Sequence, residues 1–249
     1  MDIAKLREMV RASDRIVFFG GAGTSTESGI PDFRSADGLY NTATGMKYPP
    51  EVILSRDFFY MHTEDFYAYY KKHLIHTEAK PNPAHHALVK LEQQGKLSAV
   101  ITQNIDGLHQ MAGSANVLEL HGSVHRNYCL KCDRFHSLEE ILSSSDVVPR
   151  CVDCGGLVKP DVVLYQEGLD MDVLESAISH IQRADMLIVA GTSLTVHPAA
   201  GLVRYYRGNR FVLINKSPTP YDQTANAVIN DSIAKILPQL VDGVAEGDG

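Results

Sequence analysis

An apolar run passes directly into closely spaced glycines in the segment Arg15-Ile-Val-Phe-Phe-Gly-Gly-Ala-Gly23. A continuous apolar run of this length is typical of a parallel strand that is buried on both faces. A glycine-rich turn after such a strand brings the backbone close to a pyrophosphate, with the N–H groups of a helix pointing at it. The spacing Gly21-x-Gly23 alone equally fits a tight turn, so it does not identify a ligand.

The same segment departs from the dinucleotide motif of dehydrogenases. That motif requires a third glycine three residues later, where this sequence has Thr26. No acidic residue clearly ends a second strand, where it would hold a ribose. The segment therefore fits a dinucleotide ligand but fits a hydride-transferring enzyme poorly.

Further apolar runs also end in small or polar residues: Ala99-Val-Ile-Thr102, Met186-Leu-Ile-Val-Ala190 and Phe211-Val-Leu-Ile214. Helical patterns lie between them, and in one of these Asn82 fits the N-cap and Pro83 the first turn. Strands that alternate with helices predict an α/β fold with a doubly wound, Rossmann-like parallel sheet. Ligands of such sheets bind outside the carboxyl ends of the strands, where these polar residues lie.

Two more helices are predicted. One runs from Thr63 to Ile75 in a stretch rich in Tyr, Phe and His, and the other opens at Pro198 and closes near Gly208. The first belongs to a segment that interrupts the alternation of strands and helices. We interpret that segment as a helical insertion beside the sheet.

All four cysteines form two pairs, Cys129-x-x-Cys132 and Cys151-x-x-Cys154. Each pair can chelate a metal from a tight turn, and together they predict a tetrahedral zinc site. Four protein ligands leave no open position, so the zinc is expected to be structural. The alternatives are buried free cysteines or disulfides, and a cytosolic setting disfavours the latter.

We expect a single domain over residues 1–249 that consists of a large lobe and a smaller one. The smaller lobe combines the helical insertion with the zinc module. The predicted bounds are 1–34, 80–121 and 160–249 for the large lobe, 35–79 for the helical insertion and 122–159 for the zinc module.

Composition excludes several classes of protein. Of the 249 residues 44% are hydrophobic and 21% are charged, which supports a substantial core and excludes global disorder. A net charge of −7 argues against nucleic acid as a partner. The N-terminal residues lack the apolar core of a signal peptide, and no apolar run approaches the ~20 residues that span a bilayer. We therefore expect a soluble cytoplasmic protein without a membrane partner; its oligomeric state is left open.

Several motifs resemble those of sirtuins and occur in the same order. The cysteine pairs lie between the third and fourth of them, as in that family, and the resemblance covers nearly the whole chain. The motifs are Gly21-Ala-Gly-Thr-Ser-Thr-Glu-Ser-Gly-Ile-Pro-Asp-Phe-Arg34, Thr102-Gln-Asn-Ile-Asp106, Leu120-His-Gly122, Gly191-Thr-Ser-Leu194, and Asn215 after the last long strand.

The resemblance implies an NAD-dependent protein-lysine deacetylase of the compact microbial type. Such an enzyme consumes NAD and yields nicotinamide, O-acetyl-ADP-ribose and free lysine. The implied NAD contacts fall into three groups, for the phosphates and ribose, the nicotinamide, and the adenosine half. The contacts to the phosphates and ribose are Ala22, Thr26, Phe33 and Arg34. The contacts to the nicotinamide are Gln103, Asn104, Ile105 and Asp106. The contacts to the adenosine half are Thr192, Ser193, Asn215 and Asp231. From the local sequence alone, Arg34 equally fits a solvated surface residue and Asp106 a helix cap.

The resemblance also implies the catalytic residues. His121 is the candidate base, because an imidazole that titrates near neutrality is suited to take a proton from a ribose hydroxyl. The acetyl oxygen attacks the ribose carbon as nicotinamide leaves, and the hydroxyl that His121 activates then attacks in turn. Asn104 and Ser25 place the ribose and a water molecule. The zinc takes no part.

The implied substrate is an acetylated protein or peptide, bound as an added strand between 162–167 and 195–197. Val163, Tyr165, Val196 and Phe33 would surround the acetyl-lysine, although each equally fits an ordinary core position. Many sirtuins have Phe-Gly-Glu where this chain has Tyr165-Gln166-Glu167. Because glutamine lacks the backbone freedom of glycine, this difference bears on the peptide geometry.

Sirtuins that prefer succinyl or malonyl groups resemble one another in a Tyr-x-x-Arg pair, whose arginine would bind the acyl carboxylate. The best match here is Tyr67-Ala-Tyr-Tyr70, without the arginine, so we predict a preference for uncharged acyl groups. Two alternative functions remain. One is mono-ADP-ribosyl transfer at the same NAD site, and the other is a zinc ribbon that binds partners beside an NAD-sensing domain without turnover.

Overall fold

The computed structural model describes residues 2–35, 38–41 and 47–242 of the chain. In chain order its strands are β1 (Ile16–Gly20), β2 (Leu97–Thr102), β3 (Val117–Glu119), β4 (Gly122–Cys129), β5 (Phe135–Ser137), β6 (Val158–Val162), β7 (Met186–Ala190), β8 (Phe211–Ile214) and β9 (Ala227–Ile229). Within the described residues, six of them form a parallel sheet in the order β3-β2-β1-β7-β8-β9. The predicted doubly wound sheet is thus confirmed. The strand order changes direction between β1 and β7, so the ligand crevice is expected at the carboxyl ends of these two strands.

The α-helices flank this sheet and form the insertion. They are α1 (Ile3–Arg11), α2 (Pro50–Ile53), α3 (Arg56–Met61), α4 (Thr63–His73), α5 (Pro83–Gln93), α6 (Leu108–Ala112), α7 (Leu138–Ser143), α8 (Met171–Arg183) and α9 (Ile233–Val241). The predicted start of α5 is confirmed, because the Asn82 side chain accepts from the Ala84 N–H at 2.9 Å. No helix in these described ranges is long and apolar enough to cross a bilayer.

Two predicted features of the backbone are wrong. The glycine-rich turn after β1 leads into two short 3-10 turns, Ala22–Thr24 and Thr26–Ser28, rather than into an α-helix. The segment after Pro198 is likewise a 3-10 helix, Ala199–Tyr205, and not an α-helix that closes near Gly208. 3-10 turns of this kind are frequent as connectors between other elements.

Two hydrophobic layers enclose the parallel sheet. Ile16 and Phe18 of β1 pack into a layer with α1, α5 and α9. Val17 and Phe19 point to the opposite face and pack with α8 and the 3-10 helix. Because successive strand residues alternate between the two faces, a strand covered on both must be apolar throughout. Burying each such side chain contributes about 1.5–3 kcal/mol.

The smaller lobe joins the helical insertion to an antiparallel sheet of order β5-β4-β6. An aromatic core connects them, in which Phe59, Phe66, Tyr67 and Tyr70 are fully buried. The Tyr67 hydroxyl donates to the Val158 carbonyl of β6, so this tyrosine is a core residue. The predicted boundary at residue 159 falls inside β6, because that strand pairs with β4; the division into lobes stays a proposal.

Candidate active site

The glycines after β1 are required by a close contact between two strand ends. A Cβ atom at Gly21 would lie 2.8 Å from the Gly191 carbonyl oxygen, and one at Gly23 would lie 2.7 Å from the Gly191 Cα. The Gly23 N–H donates to that same carbonyl at 2.8 Å. The turns after β1 and β7 therefore pack against each other, and the first turn positions Ser25 at the carboxyl edge of the sheet.

Ser25, Asn104 and Asp106 form one hydrogen-bonded network at this edge. The Ser25 hydroxyl donates to Asp106 Oδ2 at 2.7 Å, and Asn104 Nδ2 donates to Ser25 Oγ at 3.0 Å. Asp106 Oδ1 also accepts from the Leu108 N–H at 2.9 Å, so Asp106 caps α6 as well. Burial raises the pKa of Asp106, although its hydrogen bonds oppose this rise. The interpretation of Asp106 as a helix cap is therefore confirmed, and its contact with NAD stays a prediction.

His121 lies beside this network in the tautomer that a general base requires. Its Nδ1 is 2.9 Å from the Gln103 carbonyl oxygen. Because a carbonyl only accepts hydrogen bonds, Nδ1 carries the proton and Nε2 keeps its lone pair. Burial lowers the pKa of His121, while the bond to Gln103 partly offsets this effect. The imidazole is therefore neutral at physiological pH. The His121 carbonyl accepts from the Val163 N–H at 3.0 Å.

Side chains that follow β2, β7 and β8 hold these strand ends together. Gln103 Nε2 donates to the Thr192 hydroxyl at 3.0 Å, and Asn215 Nδ2 donates to the Thr192 carbonyl at 3.2 Å. The Ser193 hydroxyl lies 2.7 Å from that of Thr195. The resulting row of amides and hydroxyls at the switch point of the sheet suits the hydroxyls of a nucleotide.

Asp231 and Ile105 occupy the margins of the site. Asp231 accepts from the Lys235 ammonium at 2.5 Å and from the Ser232 N–H at 2.8 Å, and the bond to Lys235 lowers its pKa. It is thus already engaged by its own helix. The Ile105 carbonyl accepts from the Val124 N–H at 3.0 Å, so Ile105 connects the site to β4.

The segment that carries Phe33 and Arg34 folds back on Tyr40. The Tyr40 N–H donates to the Phe33 carbonyl at 2.9 Å, and the rings of these residues meet edge-on with centroids 5.4 Å apart. The Arg34 guanidinium lies 5.3 Å from the Tyr40 ring centroid. Nearer β1, Ala22 is half-buried and the Thr26 hydroxyl donates to the Gly23 carbonyl at 3.1 Å. We call the described residues 32–35 and 38–41 the cofactor loop.

Residues 163–167, here called the substrate loop, are already bound on one side to the helical insertion. The Tyr165 N–H donates to the Leu54 carbonyl at 3.0 Å, and the Tyr165 carbonyl accepts from the Arg56 N–H at 2.9 Å. The Tyr165 hydroxyl lies 2.6 Å from that of Tyr40. The backbone of Tyr165 is therefore occupied, and an added strand has to use other groups of the loop.

The predicted acetyl-lysine contacts come from three separate segments of the chain. Phe33 packs against the aromatic core of the smaller lobe, and the Val163 N–H is bound to His121. Val196 belongs to the large lobe, is half-buried, and has its carbonyl bonded to the Ala200 N–H at 2.8 Å. Sequence reasoning missed Tyr40 as a site residue. Its partner lies 125 positions away, so no local pattern marks it.

The four cysteine sulfurs converge as a zinc site requires. They lie within 4.8 Å of one another, with 3.4 Å between Cys129 and Cys154 and 3.7 Å between Cys132 and Cys151. Zn–S bonds of about 2.3 Å in a tetrahedron place sulfurs about 3.8 Å apart, and all four thiols are free of disulfides. The donor set and its spacing therefore fit zinc, with no position left for a substrate.

Comparison with known proteins adds the family. A model described as the Sir2 family matches residues 21–198. NAD-dependent protein deacetylases of Clostridium tetani and Clostridium acetobutylicum are 60% and 57% identical to this chain, and the alignments cover 97% and 96% of it and 98% of each relative. A solved Sir2 variant with a deacetylated p53 peptide and 3'-O-acetyl ADP ribose is 39% identical, with a TM-score of 0.89 over 98% of this chain and 99% of that one. This chain belongs to the Sir2 family.

Proposed function

We propose that the chain removes acetyl groups from lysine side chains of proteins at the carboxyl edge of its parallel sheet, with NAD as a consumed co-substrate. NAD supplies a ribose whose carbon takes the acetyl oxygen as nicotinamide leaves. The products are nicotinamide, O-acetyl-ADP-ribose and free lysine. The observation that carries this proposal is the orientation of His121, whose Nδ1 is fixed by Gln103 while Nε2 has no hydrogen-bond partner among the residues that the structure describes.

His121 acts as the general base in this proposal. Its lowered pKa keeps the imidazole neutral, so Nε2 can take a proton from a ribose hydroxyl at physiological pH. The Gln103 carbonyl stabilises the positive charge that His121 then acquires, because it accepts a hydrogen bond from the charged ring. The contact between the His121 carbonyl and Val163 ties the base to the substrate loop.

Ser25, Asn104 and Asp106 position the reacting ribose and a water molecule. Asn104 donates one amide hydrogen to Ser25, which leaves its second hydrogen and its oxygen for a ligand. Ser25 is only 1% exposed, so bulk water is excluded on this side. The network is connected from β1 to α6, and each member holds the next in a fixed rotamer.

The remaining residues fit the other parts of NAD. Arg34 offers a planar guanidinium for the phosphates, with Ala22, Thr26 and Phe33 on the same side of the crevice. Thr192, Ser193 and Asn215 offer hydroxyls and an amide to the adenosine half, and Asp231 stands at its margin. Gln103 and Ile105 would line the nicotinamide pocket. The zinc that the cysteines hold stabilises the smaller lobe and takes no part in the chemistry.

The substrate in this proposal is an acetylated segment that adds as a strand to the open edge of the substrate loop. Val163, Tyr165, Val196 and Phe33 then surround the acyl chain, and a preference for uncharged acyl groups stays a prediction. We also place the protein in the cytoplasm, since four thiols that hold zinc suit a reducing compartment.

The test is mass spectrometry of an acetyl-lysine peptide incubated with the protein, with and without NAD. We expect loss of the acetyl group only with NAD, matched by nicotinamide and O-acetyl-ADP-ribose. The matched control is His86→Ala, which removes an exposed histidine on α5, and it should retain full activity. ADP-ribose retained on a protein would instead establish mono-ADP-ribosyl transfer. NAD binding without turnover would refute the proposed enzymatic activity.

A further inference from the structure

Gln166 adopts a backbone conformation that favours glycine. Its φ is +76°, in the left-handed region, where among the described non-glycine residues only Asp133 and Leu194 also lie. Many sirtuins have glycine at this position of the substrate loop. A side chain raises the free energy of this conformation relative to the extended one, so some other contact must hold Gln166 there.

That contact is a reciprocal pair with Asp57, the second residue of α3. The Asp57 N–H donates to Gln166 Oε1 at 3.1 Å, and Gln166 Nε2 donates to Asp57 Oδ2 at 3.1 Å. The side-chain amide of Gln166 is thus hydrogen-bonded to both the backbone N–H and the carboxylate of Asp57. Such a two-point contact fixes the orientation of the Gln166 side chain and with it the backbone to which it is attached.

The pair of Gln166 and Asp57 also contributes to the capping of α3 by the substrate loop. The first, second and third N–H groups of this helix donate to the Tyr165 carbonyl at 2.9 Å, to Gln166 Oε1 at 3.1 Å and to the Ser55 hydroxyl at 3.3 Å. The first N–H groups of a helix have no partner within the helix. Two of these three partners come from the substrate loop, so helix and loop stabilise each other.

These contacts leave the other side of the loop open to the cleft. At its start, Val163 is bound through its N–H to the carbonyl of His121. In the described part of the chain the Val163 carbonyl accepts no hydrogen bond, and it is available to a further strand. The geometry at Gln166 sets the direction in which the backbone leaves this open edge.

We propose that Gln166 and Asp57 are positioning residues for the acylated substrate. Their pair holds a left-handed turn that glycine could adopt without such a contact, and it keeps the open edge of the substrate loop in the conformation that receives the peptide strand. This inference rests on the proposed function. It predicts an effect on the KM for the peptide, with the KM for NAD and kcat nearly unchanged.

The test compares Gln166→Ala with Gln166→Gly. Alanine removes the pair and keeps the backbone cost, so the peptide KM should rise about 5-fold. Glycine removes the pair together with the cost, so the peptide KM should rise less than 2-fold. This order is diagnostic, because a side chain that merely contacted the peptide would be lost equally in both variants. Equal peptide KM values in the two variants, or values equal to the unmodified enzyme, would overturn the inference.

Asp57 provides the conservative control. Asp57→Asn keeps an oxygen that accepts from Gln166 and should leave the peptide KM unchanged, whereas Asp57→Ala should raise it. Because both residues act as one unit, adding Asp57→Ala to Gln166→Ala should cause no further rise; a multiplied effect would contradict the pair. Turnover of the unmodified enzyme in the same assay tests the proposed function separately, and its absence would refute both.

Discussion

The carboxyl edge of the parallel sheet and the cysteine-bearing end of the smaller lobe are held in place by different forces. β1 lies between two hydrophobic layers, and each layer draws residues from several helices and strands. Within the described part of the chain, the hydrophobic cluster around the cysteines contains only Ile141 and Val158 beside Cys129, Cys151 and Cys154. The first region is stable through apolar burial, whereas the second depends on a metal to compensate for its small core.

This difference separates chemistry from stability. The polar residues at the sheet edge lie at the ends of strands that are stabilised mainly by the two apolar layers, so changing one should remove activity and leave the fold intact. The region around the cysteines depends on the metal that they hold, so changing one cysteine should unfold this region. Four variants test this separation, in order of decreasing effect.

His121→Ala should lower kcat about 10²- to 10⁴-fold, since this is the typical contribution of a general base. The melting temperature should change little, because β1, β2 and β7 stay buried. NAD affinity should also change little. Steady-state kinetics, NAD titration and thermal unfolding measure the three quantities. Normal turnover would show that His121 is not the general base. A large fall in the melting temperature would show that the sheet edge, like the cysteine region, contributes to the stability of the fold.

Cys129→Ala should abolish tight zinc binding and destabilise the smaller lobe, on the order of several kcal/mol. Hydrogen exchange should quicken in β4 and β6, which carry or flank the cysteines, while β1 and β7 stay protected. Elemental analysis gives the zinc content. The control is Val152→Ala in the same cysteine loop, whose side chain is 74% exposed. Unchanged zinc content and unchanged exchange would contradict a structural zinc site.

Arg126 connects the two regions and should give an intermediate effect. From β4, its Nη1 donates to Glu119 of β3 at 2.6 Å and its Nε to Asp161 of β6 at 2.7 Å. The Glu119 side chain is only 7% exposed, so Arg126→Met leaves a buried carboxylate without its partner. Because Arg126 is itself 38% exposed, we expect a loss of about 1 kcal/mol in urea unfolding.

A double variant shows whether this loss belongs to the ion pair. Glu119→Gln removes the charge that Arg126→Met leaves unpaired, so the two changes together should cost less than their sum. Additive losses would mean that Arg126 stabilises the lobes by packing alone.

The sequence predicted those parts of the fold and site that depend on local patterns. β1, β7 and β8 are apolar throughout because they are buried on both faces, and the zinc ligands are recognisable from their spacing. β3 and β9 have three residues each, too few to show a periodicity, and the 3-10 helix after Pro198 has no distinct pattern of its own. The predicted boundary at residue 159 falls inside β6, because this strand is defined by its pairing with β4 and has no local signal of its own.

The contacts that hold the substrate loop in place could not be predicted for a related reason. Gln166 meets Asp57 and Tyr165 meets Tyr40 across 109 and 125 positions of the chain. Neither partner carries a motif by itself. Such contacts follow from the way the smaller lobe packs on the sheet, which a single sequence does not specify residue by residue.

The smallest effect is expected from Tyr165→Phe. The hydroxyls of Tyr165 and Tyr40 lie 2.6 Å apart, and burial together with this bond raises the pKa of Tyr40, so the Tyr40 hydroxyl stays protonated. Tyr40 in turn packs on Phe33 and Arg34. The bond thus links the substrate loop to the cofactor loop, and the binding of peptide and NAD should favour each other through it. Phenylalanine keeps the ring and removes only this link, worth about 0.5–1.5 kcal/mol.

Calorimetric titration of a non-hydrolysable NAD analogue, with and without acetyl-peptide, measures the mutual effect. In Tyr165→Phe the gain in NAD affinity that the peptide causes should shrink about 2- to 10-fold, with kcat at saturation preserved. Tyr40→Phe should lose the same amount, and the double variant no more, because one bond is removed in each case. Tyr128→Phe on β4, whose ring stacks edge-on with Phe135, should retain the full gain. A full gain in Tyr165→Phe as well would show that the bond between Tyr165 and Tyr40 does not carry the coupling, which would then have to run through the contact between His121 and Val163.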